Sequence, residues 1–223
     1  MRRSLPVVLL STALAFPAVA ADLPPQSGAP YYSPPPLFTW TGGYVGANAS
    51  FGFGRYTDGG SSYFGNADGG LCGITAGYNY HSGPLVVGVE GDIDFGSVSG
   101  TGYPAGGISA TGSLTGEGSI RARFGYAFGP SLVYITGGYT GANLKGSVSD
   151  FSAAPNIFVS QSTYLNGFVI GTGLEYEFTR NISVKAEYLF SDYGSSGLFN
   201  GTRDNIGSGL LLSTIRAGIN YHF

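Results

Sequence analysis

The sequence predicts an all-β protein: an eight-stranded antiparallel transmembrane β-barrel with long outer loops and short periplasmic turns. Three observations predict it. Eight segments alternate apolar and polar residues with period 2, the spacing of a strand with two different faces. The segments are joined long, short, long, short, long, short, long, which puts every long connection at one end, as in an outer-membrane barrel and not in a soluble sandwich. The bulk composition is that of a surface facing lipid. Only 10% of the 223 residues are charged, against about 25% in an average soluble domain, while Gly (39), Tyr (16) and Phe (15) are abundant.

The same numbers exclude several function classes. A formal net charge of -3 gives nucleic acid no electrostatic footing. A single cysteine, Cys72, rules out an internal disulfide and a Cys-rich metal site. Beyond the leader no apolar run approaches the roughly 20 residues of a spanning helix, so any membrane crossing is made by strands.

Taken in order, Met1-Arg-Arg-Ser followed by the apolar stretch Leu5 to Phe16 and the small residues Ala18-Val-Ala20 reads as a secretory signal peptide, residues 1–20, cleaved after Ala20 or Ala21. Residues 21–39 are a proline-rich periplasmic leader, and residues 40–223 the barrel. The first strand, Gly42–Gly54, sets Val45, Ala47, Ala49, Phe51 and Phe53 against Tyr44, Gly46, Asn48 and Ser50. The second, Leu71–Tyr80, sets Cys72, Ile74, Ala76, Tyr78 and Tyr80 against Gly73, Thr75, Gly77 and Asn79. The third, Leu85–Gly96, and the fourth, Leu114–Phe128, each carry charges on one parity only. The fifth, Leu132–Leu144, is apolar on both faces and its parity stays open. The sixth, Tyr164–Phe178, and the seventh, Ile182–Tyr193, return to clean alternation. The eighth, Leu210–Phe223, ends on a patterned aromatic, so closure requires it to pair with the first. The Gly/Ser/Thr-rich stretches 55–70, 97–113, 145–163 and 194–208 are the expected outer loops. Tyr44, Phe53, Tyr80, Tyr126, Phe128, Tyr176, Phe178, Tyr221 and Phe223 near strand ends suit aromatic girdles.

Several stretches together resemble a known family. They are Phe38-Thr-Trp-Thr-Gly-Gly-Tyr-Val-Gly-Ala-Asn, Arg121-Ala-Arg-Phe-Gly-Tyr, Tyr134-Ile-Thr-Gly-Gly, Gly171-Thr-Gly-Leu-Glu-Tyr, Val184-Lys-Ala-Glu-Tyr and Arg216-Ala-Gly-Ile-Asn-Tyr-His-Phe. They look like the small outer-membrane proteins of alphaproteobacteria, the outer-membrane immunogenic or opacity-like porin family, and the likeness runs from Trp40 to Phe223. The resemblance implies an abundant, surface-exposed eight-stranded barrel with a part in envelope integrity, and some relatives act as porins or bind haem. It also implies partners: outer-membrane lipid and lipopolysaccharide, and the barrel assembly machinery during biogenesis.

The polar parity defines the candidate site. Glu90, Asp92, Asp94, Glu117, Arg121, Arg123, Glu175, Glu177, Lys185, Glu187 and Arg216 all fall on the expected inner face. Enclosed charges need partners. Counting from the turns suggests Glu90 with Arg123, Asp92 with Arg121, Glu175 with Lys185, and Glu187 with Arg216. Such a cluster is either an ion path or a salt-bridge network filling a narrow barrel, and eight strands leave room for side chains and little else. Enzymatic activity is not expected: His81 and His222, the two histidines, both fall near the periplasmic end, and no Gly-x-Ser-x-Gly occurs. No cofactor is expected either; haem would have to use a loop tyrosine such as Tyr56, Tyr63 or Tyr103. Cys72 falls on the lipid face as a small apolar residue. Ile219, Tyr221 and Phe223 form the expected C-terminal assembly signal.

Overall fold

The structure, a computed structural model, describes residues 39–57, 65–105, 108–151, 157–198 and 206–223. The expected signal peptide, residues 1–20, and nearly all of the expected leader, residues 21–39, lie outside the described residues. Eight strands follow one another: β1 (Gly42–Thr57), β2 (Asn66–Ser82), β3 (Leu85–Ala105), β4 (Ile108–Phe128), β5 (Ser131–Asp150), β6 (Ile157–Thr179), β7 (Ile182–Leu198) and β8 (Ile206–His222). Each pairs antiparallel with its neighbours in sequence, and β1 pairs with β8 from Tyr44↔His222 to Thr57↔Gly209, so the sheet closes. The last peptide is held at the seam, where the Phe223 N–H donates to the Gly43 carbonyl at 3.0 Å.

The periplasmic turns are as short as the sequence predicts. Two of them are Gly-Pro pairs, Gly83-Pro84 and Gly129-Pro130, with glycine φ values of 60° and 59°. A two-residue hairpin with a left-handed first residue matches the twist of its strands, and glycine occupies that conformation without strain.

The outward parity is apolar over a limited height. On β1 it runs from Val45 through Phe51 to Phe53, all exposed. Nine residues at about 3.4 Å each, tilted by about 40°, rise roughly 20–25 Å, the height of an outer-membrane hydrocarbon band. Tyr80, Phe128, Phe178, Tyr221 and Phe223 stand exposed at its lower edge. Cys72 is exposed on the same surface. Tyr44, expected in the girdle, is instead 1% exposed and points inward; its place on the Asn48 parity, together with a buried hydroxyl partner, takes it out of the lipid face.

The strands run well beyond their expected outer ends. The expected loops 97–113 and 145–163 are largely sheet: β3 continues to Ala105, β4 begins at Ile108, β5 reaches Asp150 and β6 starts at Ile157. Small hydroxyl side chains face each other there, Ser97 with Ser113 at 3.0 Å, Thr101 with Thr111 at 3.1 Å and Ser147 with Ser160 at 3.3 Å. Cross-strand hydroxyl pairs of this kind support a ladder without the strong alternation that marks a membrane strand. Register shifts accompany the change, between Phe95 and Val98 on β3 and between Leu114 and Gly116 on β4. The extra residue on β4 lets Leu114 and Arg121 both face inward although their spacing is odd.

The interior fills in layers. Trp40, Val86, Leu132 and Tyr134 form a lower apolar cluster. Leu114, Leu144, Leu165, Tyr193, Leu210 and Leu212 belong to an upper one. This settles the open parity of β5: Leu132, Tyr134, Thr136, Thr140 and Leu144 face inward, whereas Val133, Ile135 and Tyr139 face outward. Two tyrosines reach over bare backbone: the phenol end of Tyr44 occupies the space beside Gly77, and that of Tyr134 the space beside Gly173. Gly77→Leu would place side-chain carbons inside the Tyr44 ring, an overpacking that costs about 1–3 kcal/mol. The expected result is a lower temperature for conversion of the folded, faster-migrating gel band to the unfolded one; an unchanged transition would contradict this packing.

Candidate functional site: the charged interior belt

Between the two apolar clusters lies a belt of ionisable side chains from β3, β4, β6, β7 and β8. At its base, Glu175 on β6 accepts from Arg123 Nη2 at 2.6 Å, Asn220 Nδ2 at 2.7 Å and Ser183 Oγ at 2.5 Å. His222 Nε2 lies 3.5 Å from the same carboxylate and 2.9 Å from Ser183 Oγ. Trp40 closes this level from below, edge-on to the His222 ring at 5.8 Å.

The middle level centres on Glu90. It accepts from Arg121, from Lys185 Nζ at 2.9 Å and from the Tyr44 hydroxyl at 2.8 Å. Arg123 spans two levels: Nη1 donates to the Tyr44 hydroxyl at 2.7 Å, and its guanidinium stacks 3.9 Å from the Tyr134 ring centroid. Glu187 completes the level, 3.5 Å from Lys185 and 3.7 Å from Arg121, accepting from the Tyr134 hydroxyl at 2.9 Å. At the top, Arg216 forks between Asp92 (3.1 Å) and Asp94 (2.6 Å), with Glu117 at 3.5 Å. The Tyr193 hydroxyl donates to Glu117 at 2.7 Å and joins the belt to the apolar layer above.

The belt sets Glu90, Asp92, Asp94, Glu117, Glu175 and Glu187 against Arg121, Arg123, Lys185 and Arg216. Their side chains are at most 8% exposed. At this burial the cost of removing charge from water rivals the attraction between partners, so the belt specifies one arrangement more than it adds stability. Removing one partner is another matter, because it strands a buried charge.

Ten of the eleven residues assigned to the inner face meet here. Glu177 does not: it is half-buried, one step nearer the periplasmic rim, and takes part in none of the belt's ion pairs. Two expected pairs are present, Glu90 with Arg123 at 3.5 Å and Asp92 with Arg121 at 3.1 Å. Two are redistributed. Glu175 stands opposite Lys185 in the ladder and Glu187 opposite Arg216, yet Lys185 turns to Glu90 and Arg216 to Asp92 and Asp94. A second cause is stagger: Leu85 pairs with Tyr126, which sets Arg121 beside Glu90 in the ladder. The tyrosine hydroxyls of Tyr44, Tyr134 and Tyr193, and the polar groups of Ser183 and Asn220, were not among the predicted site residues.

For haem the placements are unfavourable. Tyr56 is 5% exposed within the upper apolar cluster, and not on a loop. Tyr103 is 78% exposed at the outer end of β3, and Tyr63 lies outside the described residues. Among the described residues no group of three His, Cys, Asp or Glu side chains is arranged to hold a metal ion.

The model of the outer membrane protein beta-barrel domain matches residues 7–223. The chain belongs to this family of outer-membrane barrels. It is 32% identical over 237 residues to the 31 kDa outer-membrane immunogenic protein of Brucella melitensis, covering 97% of this chain and 99% of that one. It is 30% identical over 231 residues to the 25 kDa outer-membrane immunogenic protein of Brucella abortus, covering 100% of both. Among solved structures, Neisserial surface protein A is 19% identical and covers 82% of this chain and 98% of its own, with a TM-score of 0.46. The protein is thus an outer-membrane barrel whose polar face is enclosed and whose apolar face meets lipid.

In this outer-membrane barrel, Arg123→Glu would leave Glu90 and Glu175 without their shared cation and add a third carboxylate between them. Breaking a buried pair costs about 3–5 kcal/mol, so heat or urea should unfold the variant well before the parent on unheated gels. An unchanged midpoint would show that the belt does not depend on Arg123.

Proposed function

We propose that the protein is a structural element of the outer membrane that acts through its exposed surface and not through its lumen or a catalytic centre. The observation that carries this reading is the closure of the interior at three levels. Leu114, Leu144, Leu210 and Leu212, none exposed, cap the belt from above. The ion pairs fill the middle, and Trp40 with His222 occupies the base. The interior of an eight-stranded barrel is just wide enough for side chains such as these to fill it. The positions of the two histidines argue for a non-enzymatic role: His222 is engaged with Ser183 and Glu175 at the periplasmic end, and His81 lies at the end of β2. The alternative is a small-solute porin or a haem receptor. Planar-bilayer recordings of the refolded protein should show no stepwise conductance, and a haem titration no shift of the haem absorption band. Conductance steps would overturn the sealed interior, and a saturable band shift would make the protein a receptor.

We further propose that Ile219, Tyr221 and Phe223, exposed on the outward face of β8, are the segment engaged by the barrel assembly machinery. Deleting Phe223 should lower the amount of protein in the outer membrane while the purified chain still refolds in detergent. Normal outer-membrane levels would refute the assignment.

A further inference from the structure

Two charged side chains interrupt the outward face of β7, β8 and β1. Asp192 on β7 is half-buried, with Phe168 opposite it on β6 and Leu211 opposite it on β8. Arg55 on β1 is exposed, on the far side of the same Leu211. Neither belongs to an ion pair among the described residues, and neither does Asp68, which is exposed on the diagonal from Arg55. The shear of the barrel sets their heights. Rung by rung, Ala49 leads through β2–β5 to Tyr164 and through β8 and β7 to Leu174, positions ten residues apart on β6. Shared over eight strands tilted by about 40°, that stagger lowers β7 against β1 by about 6 Å along one ladder row. Asp192 therefore stands level with Phe53, at the upper edge of the lipid band, and Arg55 about 6 Å above it. Arg55 of the same barrel is also two strands away, about 10 Å across Leu211. A carboxylate among apolar side chains at the edge of hydrocarbon is costly, and it calls for a cation from outside its own barrel.

The face is complementary to itself. Two barrels side by side in one membrane, both with their loops outward, are related by a two-fold axis along the membrane normal. With that axis beside β8, β1 of each copy faces β7 of the other. Arg55 then stands above Asp192 of the second copy, within the span of an extended arginine side chain, and the contact occurs twice. A groove of about 510 Å³ beside Phe190, Leu211 and Ser213 leaves room for the incoming guanidinium. Below the charges, rings meet hollows. At matched heights Phe51 faces the second copy's Phe190, and Ala49 faces its Tyr188. Ala49, Ala217 and Ala186 share one ladder row, so a shallow waist crosses the face beneath the exposed Phe51 and Tyr188. The Tyr188 hydroxyl donates to Ser213 Oγ at 3.1 Å, which holds the ring that enters the waist.

We infer that the protein forms a two-fold dimer in the outer membrane through the outward faces of β7, β8 and β1, closed at the rim by reciprocal Arg55–Asp192 ion pairs. This rests on the outer-membrane placement and not on the sealed interior, so a conducting barrel would sink the proposed function and leave the dimer standing.

The test uses the full mature chain refolded into phospholipid vesicles, with Cys72→Ala as background so that every thiol is an introduced one. Ala217 lies on β8 beside the axis, and Ala217→Cys should oxidise to a disulfide-linked dimer. Ile120→Cys, exposed on β4 across the barrel from β8, should not. Ser213→Cys, on the same outward column, takes its place if Ala217→Cys does not refold. In the crosslinking variant, Arg55→Asp or Asp192→Arg alone should weaken dimerisation about tenfold, and the two together should restore it. Restoration by the exchanged pair distinguishes a contact between copies from damage to one barrel, where the two side chains are too far apart to meet. Crosslinking at both β8 positions no greater than at Ile120→Cys would mean that this face meets lipid alone, and would overturn the dimer. So would dimerisation indifferent to either charge reversal, or an exchanged pair that stays monomeric.

Discussion

A charge enclosed in a narrow barrel has to be answered by other side chains, and Arg123 shows how far that requirement reaches. Its guanidinium sits on β4, donates to Glu175 on β6, reaches Tyr44 on β1 and Glu90 on β3, and rests on the Tyr134 ring of β5. One side chain thereby ties strands on opposite sides of the barrel. The phenol ends of the tyrosines that hold it fill the space beside Gly77 and Gly173, so the charge pattern also dictates where β2 and β6 have no side chain. Packing and electrostatics are one constraint here, because each ring both fills space and supplies a hydroxyl to a carboxylate.

The two apolar clusters follow from the same requirement. A belt of ionisable groups open to water at either end would gain solvation and lose its fixed geometry. Leucines above and an indole below cover it, and a lower local dielectric strengthens the pairs within it. The surface reading of function and the filled lumen are therefore linked. With the interior filled by side chains, the proposed surface role falls to the outer wall and the strand extensions above it.

Much of this was legible in the sequence. Alternation located eight strands and the short turns, and parity brought together Glu90, Asp92, Arg121, Arg123 and Arg216, because a membrane barrel has only one face where charge is tolerable. What stayed hidden has particular causes. Leu114 stands out of phase with Arg121 until the bulge between them is known, so its place in the upper cap could not be read from period 2. Leu210 and Leu212 share the parity of Arg216, and in a strand read as polar on that face two leucines at its outer end carry no signal of a cap. Ion-pair choice also escaped, since neighbours in the ladder such as Glu175 and Lys185 need not bond when long side chains can reach across the lumen. The strand extensions beyond the lipid band were missed because serine, threonine and glycine carry turn and strand equally well until their partners are known.

The base of the barrel has a kinetic consequence. Trp40 is the single tryptophan of the chain, it precedes the first strand, and it packs edge-on against His222 at the end of the last. Its burial therefore requires residues about 180 positions apart in sequence to have met, the most distant pairing in the molecule and the one whose loop-closure entropy is greatest. Strands can enter a bilayer and pair with their neighbours while this indole is still in water. Its emission is a clock for the closing of the ring, distinct from the gain of sheet that precedes it.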